Sequence, residues 1–369
     1  MTASPAESVN LRPKATAPVL RRIGSSFDDE WDGLASQEPA AGFMQASFWA
    51  TFKRIEGYQV QRYGWFEHGD VLSGGATVYA FAKDGGGGSA AAPTIAVCPE
   101  GPVVDWEDVE ASRAMLRALT AAVRDDFPDA VALRIEPHRP PPRPTVLRNF
   151  QRAPIDLTPV HTLMLDLRLS DDELLARMRP KGRYNYRLSQ RHDIRVSISA
   201  SMQDLSTLYR LFTHTAQRQD FYAEPYRFFL NLGAALLPGG HACILQAEWE
   251  GETLAAAFVV FYGRRATFLY GGSSPLHREK MPAYALQMEA IAEARRRGCV
   301  EYDFYGCDPF GIPDHPYAGF STFKRQFGGA IVSSIGAQDL LFYDRLASQI
   351  IPRLTGRDAA ANNGSLELR

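Results

Sequence analysis

Cysteine is scarce in this chain: four residues in 369, Cys98, Cys243, Cys299 and Cys307, with no CxxC pair. That excludes a disulfide framework and a zinc ribbon, and predicts reduced thiols in a reducing compartment. The eight histidines are scattered, with no metal-ligand spacing, so no metal and no cofactor is expected. No apolar run reaches the roughly 18 residues of a membrane helix, so no transmembrane segment is expected. The N-terminus lacks the apolar core of a secretory signal, which predicts a cytoplasmic protein. Net charge is only −2, so no global field draws the chain to nucleic acid or anionic membrane. Any such contact must use a local patch.

What is present suffices for two to three cores. Apolar residues make up 45% and charged residues 22% of the sequence, ordinary values for a globular protein. Residues 1–18 read as a mobile Pro/Ala-rich tail. Strands are expected at Gln59 to Phe66, Gly74 to Phe81, Thr94 to Cys98 and Ala130 to Glu136. The tetraglycine Gly85 to Gly88 reads as a hairpin tip, and Glu107 to Phe127 as an amphipathic helix. A second unit opens with the strand Thr162 to Leu167. Ser170 with Glu173 forms a capping box, and Pro180 separates two short helices. Helices at Met202 to Arg218 and Pro225 to Leu237 precede three strands in meander, ending at Gly271. Helix Pro282 to Arg297 and strand Val300 to Tyr305 follow. Ala330 to Ile335 reads as a strand, Leu340 to Ile351 as a helix, and residues 355–369 as a frayed end. The expected class is mixed α/β.

Charge is concentrated in one place. Between Arg177 and Arg195 lie seven Lys or Arg against one acid, Asp193. Arg183, Arg187 and Arg191 recur every four residues and share a helix face. Such a face is either simply solvated or matched to a phosphate-rich partner, which would relieve the self-repulsion.

The last third carries the other candidates. YGGSS from Tyr270 and YDFYG from Tyr302 end adjacent strands, where open α/β sheets bind ligands. Strand alternation sets Tyr302 and Phe304 on one face, Asp303 and Tyr305 on the other. Gly271 and Gly272 suggest backbone approaching a ligand. In FSTFKRQFGG, Phe323 and Phe327 flank Lys324 at helical spacing, which would bury the turn and leave the lysine projecting into a cleft. Gly328 and Gly329 then release the chain. Arg218 ends a helix just before Phe221 and Tyr222, where it can satisfy the helix dipole or meet an anion. There is no nucleophile elbow and no supported Cys–His pair, so direct, non-covalent chemistry is the simplest expectation.

FSTFKRQFGG, with YGGSS upstream and Arg218 before an aromatic pair, resembles the FemABX family of aminoacyl-tRNA-dependent peptidyltransferases. The resemblance is good over Leu163 to Asp339. In the N-terminal part it rests on Lys53, the Trp before it and the GP turn. It implies two tandem GNAT-like domains, 19–160 plus 338–354 for precursor binding and 161–337 for the aminoacyl-tRNA side and catalysis. The implied activity moves an amino acid from aminoacyl-tRNA to the side-chain amine of the peptidoglycan stem peptide. Lys324 would contact the tRNA end and stabilise oxyanion charge, with Asp105 orienting or deprotonating the amine. Lys53 and Arg218 would meet the precursor diphosphate, with Tyr222, Tyr270 and Tyr305 lining the substrate site. Arg183, Arg187 and Arg191 would meet tRNA.

Only about 20 residues separate Phe221 from Ala242, too few for the coiled-coil arm of some members. The chain therefore resembles the shorter members that use UDP-MurNAc-pentapeptide. A lipid-linked precursor, with peripheral membrane contact, stays open. Two other readings are an acyl-CoA-dependent GNAT transferase and a non-catalytic RNA-binding module. The loop SSPLHREKMPAY has no glycine, and Pro282 removes a donor where a CoA pyrophosphate nest should form. The module would need neither the Gly-Gly strand end nor the Lys324 turn.

Overall fold

The computed structural model describes residues 17–67, 70–81, 94–312, 315 and 317–343. The tail before residue 17, the tetraglycine Gly85 to Gly88 and everything after residue 343 lie outside the described residues. The first half of the chain gives β1 (Val19–Ile23), α1 (Asp28–Ala35), α2 (Ser47–Ile55), β2 (Tyr58–Glu67), β3 (Val71–Phe81) and β4 (Thr94–Pro99). Helix α3 (Val109–Asp126), β5 (Ala130–Glu136) and the short β6 (Gln151–Arg152) complete it. Strand β1 and helix α1 escape the sequence pattern because β1 is mostly exposed and α1 buries only Trp31 and Ala35.

The second half runs β7 (His161–Asp166), α4 (Asp171–Arg177), α5 (Pro180–Arg191), β8 (Arg195–Ser199), α6 (Leu205–Gln219) and α7 (Tyr226–Leu236). Then come β9 (Ala242–Trp249), β10 (Glu252–Tyr262), β11 (Arg265–Ser273), α8 (Pro282–Arg296), β12 (Glu301–Gly306), α9 (Ala318–Lys324) and β13 (Ala330–Ser333). The Ser170–Glu173 capping box forms as expected, and Pro180 opens α5 at its first turn, where a missing N–H costs nothing. No coiled-coil arm separates α6 from α7; residues 220–225 join them.

The chain then returns to the first sheet. Where a helix is expected over Leu340 to Ile351, Leu340 and Leu341 instead end strand β14 (Gln338–Leu341), and residues 344–351 lie outside the described residues. Strand β14 lies antiparallel to β5, Asp339 opposite Arg134 and Leu340 opposite Leu133. Tertiary pairing overrides local helix preference here, because the ladder and a buried ion pair exist only once the first sheet is present. Arg134 and Asp339 are both fully buried and joined by two bonds of 2.7 and 2.8 Å.

Each sheet has seven strands, in the orders β1-β2-β3-β4-β5-β14-β6 and β13-β7-β12-β11-β10-β9-β8. Reversing the second order makes the two patterns coincide. Both run antiparallel throughout except for one parallel pair, β4–β5 and β11–β12, each joined by a crossover helix, α3 or α8. A parallel neighbour requires such a crossover. The tandem architecture, invisible as sequence repeat, is explicit in strand direction.

Separate cores sit behind each sheet, and a third, largely aromatic, lies between them. The first half contributes Phe43, Trp49, Phe52, Tyr58 and Tyr79; the second contributes Phe212, Phe228, Phe229 and Tyr270. Phe52 meets Phe228 edge-on at 5.2 Å, joining α2 to α7. Such pairs add about 0.5–1.5 kcal/mol beyond the area they bury.

Two outcomes follow from this packing. Asp339→Ala should lower stability by about 3–5 kcal/mol, since it strands the buried Arg134 guanidinium; urea denaturation checks it, and an unchanged midpoint contradicts it. Gly272→Ala should cost about 1–3 kcal/mol, because a Cβ there would lie 2.2 Å from the Leu211 carbonyl of α6. Thermal denaturation reads that loss.

Candidate functional site

Lys324 is the last residue of α9, and a 3-10 turn over Arg325–Phe327 follows it. Phe327 seats the turn, its ring 5.1 Å from Phe304 and 5.4 Å from Tyr284. Gly328 and Gly329 then take φ of +82 and +85, and a Cβ on either would strike the Arg177 or Met164 carbonyl. Glycine is required there by both backbone conformation and space. Lys324 itself is only 7% exposed. Rather than projecting freely into a cleft, its Nζ donates to the Gly306 carbonyl at the end of β12, 2.6 Å away. Burial lowers its pKa to about 8, opposed by the Asp303 carboxylate and the Cys307 thiol.

Strand β12 alternates as expected. Tyr302 and Phe304 are fully buried in the core beneath α8, while Tyr305 packs toward the core shared by the two halves. Register with β7 breaks between Asp303 and Gly306, and Tyr305 has φ of +61. A left-handed conformation is costly for an aromatic residue and marks a site where the chain is re-aimed. The buried Tyr305 hydroxyl has no hydrogen-bond partner. Asp303 is 2% exposed and accepts from the Tyr305 amide at 2.7 Å.

Arg218 lies in the last turn of α6, against the end of β11. Its guanidinium donates to the Ser273 carbonyl at 3.3 Å and to the Ser273 and Thr215 hydroxyls at 3.2 Å. Its Nε has no partner, and among the described residues no carboxylate pairs with it. Desolvation and the nearby Arg278 both disfavour its charge. The adjacent glycines are explained differently from the expectation. Helix α6 crowds Gly272, and the Phe268 ring lies 2.6 Å from a Cβ at Gly271. Their smallness admits the protein's own helix and ring, not a ligand.

The remaining candidates separate. Tyr270 is 9% exposed and belongs to the aromatic core, 5.0 Å from Phe229. Tyr222 is half-buried in the loop between α6 and α7. Its neighbour Phe221 touches both Phe212 (5.6 Å) and Phe320 of α9 (5.3 Å). An aromatic chain therefore links the shared core to the helix carrying Lys324. Lys53 is not a surface lysine: it is 3% exposed, with Nζ 4.4 Å from the Tyr58 ring centroid and 5.3 to 5.9 Å from those of Phe52, Tyr79 and Trp49. Asp105 is exposed and its carboxylate accepts from the Glu107 and Asp108 amides, fixing the turn before α3. This geometry gives it a turn-forming role and aims it at its own backbone.

Arg183, Arg187 and Arg191 share one face of α5 with Tyr184, around a shallow surface concavity of about 710 Å³. Arg183 also donates to the Ala176 carbonyl at 3.0 Å, closing α4. The start of α5 rests on the turn after Lys324, with the Arg179 amide 3.0 Å from the Gln326 carbonyl. The basic face and the buried lysine thus belong to one packed unit.

Sequence reasoning missed a cavity of about 580 Å³ in the seam between the halves, lined among others by Glu38, Glu100, His138, Tyr262, Arg265 and Asp303. Glu100 is 1% exposed and accepts from the Met44 amide at 2.9 Å. Burial raises its pKa to about 8, and lowers that of His138 to about 3. Glu100 reads only as part of the PEGP turn, and His138 only as the start of a proline-rich stretch. Neither pattern signals burial.

The acetyltransferase (GNAT) domain model matches residues 176–325. Over 89% of its length the chain is similar to the lipid II:glycine glycyltransferases of Staphylococcus epidermidis and Staphylococcus aureus, at 21% and 22% identity, covering 95% of each. The crystal structure of FemX superposes with a TM-score of 0.80 at 20% identity, over 90% of this chain and 100% of that one. A tandem GNAT protein from the clavulanic acid biosynthesis pathway matches with a TM-score of 0.51 at 14% identity, over 88% and 98%. Paired GNAT-like sheets and a similarity that spans both halves lead to one conclusion: the chain is a transferase with a FemX-like tandem GNAT fold.

Proposed function

We propose that the protein transfers an amino acid from aminoacyl-tRNA to the side-chain amine of a peptidoglycan stem peptide, by direct attack. The observation that carries this reading is Lys324: a buried ammonium at a strand end, hydrogen-bonded to a carbonyl and not to a carboxylate. The relatives named lipid II:glycine glycyltransferase support glycine as donor residue and a lipid-linked acceptor. The short α6–α7 connection is equally compatible with UDP-MurNAc-pentapeptide.

An aminoacyl ester is already activated, so the protein mainly aligns two substrates and stabilises charge. As the amine adds, the ester carbonyl oxygen becomes an oxyanion. A fixed cation in a dry site contributes about 10²–10³ in rate at that step. Arg218, held on neutral partners, is free to receive an anion such as a diphosphate. The basic face of α5 suits the tRNA backbone, beside the turn that carries Lys324. Acyl-CoA transfer is less well supported. The segment before α8 has no glycine, and Pro282 offers no N–H to a pyrophosphate.

The direct test incubates the protein with charged total tRNA and either lipid-linked or nucleotide-linked precursor, and weighs the product. One added aminoacyl residue, abolished by prior ribonuclease treatment, is the expected result. An unmodified precursor in both forms would sink the reading. Lys324→Met, which keeps length and burial but removes the charge, should lower kcat by about 10²-fold or more with an unchanged far-UV spectrum. Because the Lys324 ammonium persists below its pKa of about 8 and is lost above it, kcat should fall as pH rises through that value. Lys324→Arg should shift that limb upward; an identical profile argues against the role. Arg218→Ala should raise KM for the precursor about ten- to hundredfold, with a smaller change in kcat.

A further inference from the structure

The seam cavity holds charges that the proposed chemistry above does not use. Two of its wall residues are buried carboxyls, one from each half: Glu100, 1% exposed, and Asp303, 2% exposed. Two arginines of the wall are hydrogen-bonded elsewhere, although Arg265 also attracts both carboxylates through space and its Nη1 lies 3.3 Å from His138 Nδ1. Glu301 binds Arg265 at 3.0 Å, and Arg168 binds Asp166 at 2.8 Å. Glu100 and Asp303 have no hydrogen-bonded cation among the described residues. Glu100 Oε1 accepts no hydrogen bond at all. The nearest group is His138 Nε2, 3.5 Å away and also unpartnered. That imidazole is held neutral by burial and by Arg265, so it supplies no counter-charge. The buried Tyr262 hydroxyl in the same wall is unsatisfied too.

Burial first and the Asp303 carboxylate second raise the proton affinity of Glu100 in this cavity. A buried carboxylate oxygen without a donor costs free energy, and Glu100 Oε1 is such an oxygen. Glu100 Oε1 and the Tyr262 hydroxyl both lack a hydrogen-bond partner in this wall, so a guest that brings donors and positive charge suits it. Among the described residues no cluster of three or more His, Cys, Asp or Glu is arranged to hold a metal ion. A primary ammonium fits better: it brings one charge and three donors in a compact head. Glu100 Oε1, the Asp303 carboxylate and the Tyr262 hydroxyl are acceptors that the cavity wall offers to such donors.

We propose that this seam cavity binds a primary ammonium group, with Glu100 and Asp303 as its two carboxylates. The site deepens the transferase reading, on which it rests only for the identity of the amine. Asp303 is also the carboxylate that supports the charge of Lys324. An amine seated beside it would therefore lie next to the group assigned to the oxyanion. Arg264, exposed at the cavity mouth, favours an amine carried on an acidic molecule such as a peptide with free carboxylates.

Binding, measured without turnover by isothermal titration on the full chain, tests the site. One arm uses a lysine-ending tripeptide with its side-chain amine free or acetylated, to represent an acceptor. The other uses glycinamide and N-acetylglycinamide, to represent the α-amine of an activated amino acid. The free amine should bind at least about tenfold more tightly than the acetylated form in the peptide arm. Glu100→Gln, nearly isosteric, should remove that preference while keeping the affinity for the acetylated peptide and the thermal midpoint. Asp303→Asn should reduce the preference as well. A preference found only in the glycinamide arm, and lost in Glu100→Gln, keeps the site and reassigns the amine. Equal affinity for free and acetylated forms in both arms overturns it, as does a preference that Glu100→Gln leaves intact. Failure of tRNA-dependent transfer with the preference intact would instead count against the transferase reading alone.

Discussion

Contact between aromatic rings across the two halves is the constraint on which the rest of this molecule depends. Phe52 on α2 and Phe228 on α7 fix one half against the other. From there, Phe229, Phe212, Phe221 and Phe320 form a chain of ring contacts of 5.2 to 5.6 Å that ends on the helix of Lys324. Each ring has an orientation preference and little rotameric freedom, so such a chain transmits position with small loss. Lys53, among the rings of the same core, is fixed by it as well. A loosened core would move the candidate cations together, without touching any of them directly.

Burial then decides which charged groups can do chemistry. Lys324, Glu100 and Asp303 are all nearly inaccessible, and burial shifts each in the direction of neutrality. Arg187 and Arg191, on the outer face of α5, are exposed and act only through a screened field. Two classes of cation thus coexist. Solvated ones suit a diffuse polyanion, and buried ones suit a charge that develops at one atom. The first class is replaceable in kind, the second only by a group of the same shape.

The doubled architecture explains why the interesting groups meet at a seam. Each half repeats one pattern of strand directions, with a single parallel pair and its crossover helix. Facing the halves toward each other brings Glu100, at the end of β4, near Asp303 in β12. Neither half alone encloses the cavity. The return of β14 to the first sheet, secured by Arg134 and Asp339, ties the segment after β13 back to the first half.

Periodicity and punctuation determined the local elements from the residues alone. The capping box at Ser170, the proline-opened α5, the alternation of β12 and the glycine pair after Phe327 were all legible. Each is set by neighbours within a few positions in the chain. Grouping of Arg183, Arg187 and Arg191 on one face was legible for the same reason. Burial was not. Lys53 gave no sign that it sits inside an aromatic core, Gly272 read as a ligand contact, Leu340 as the start of a helix, and Glu100 as one residue of a turn. In every case the deciding partner lies far away in sequence: Tyr79 beside Lys53, Leu211 over Gly272, Leu133 opposite Leu340, and Asp303 across the cavity from Glu100. Only the tertiary structure creates those neighbours, because desolvation and close contact depend on what packs against a residue and not on what precedes it.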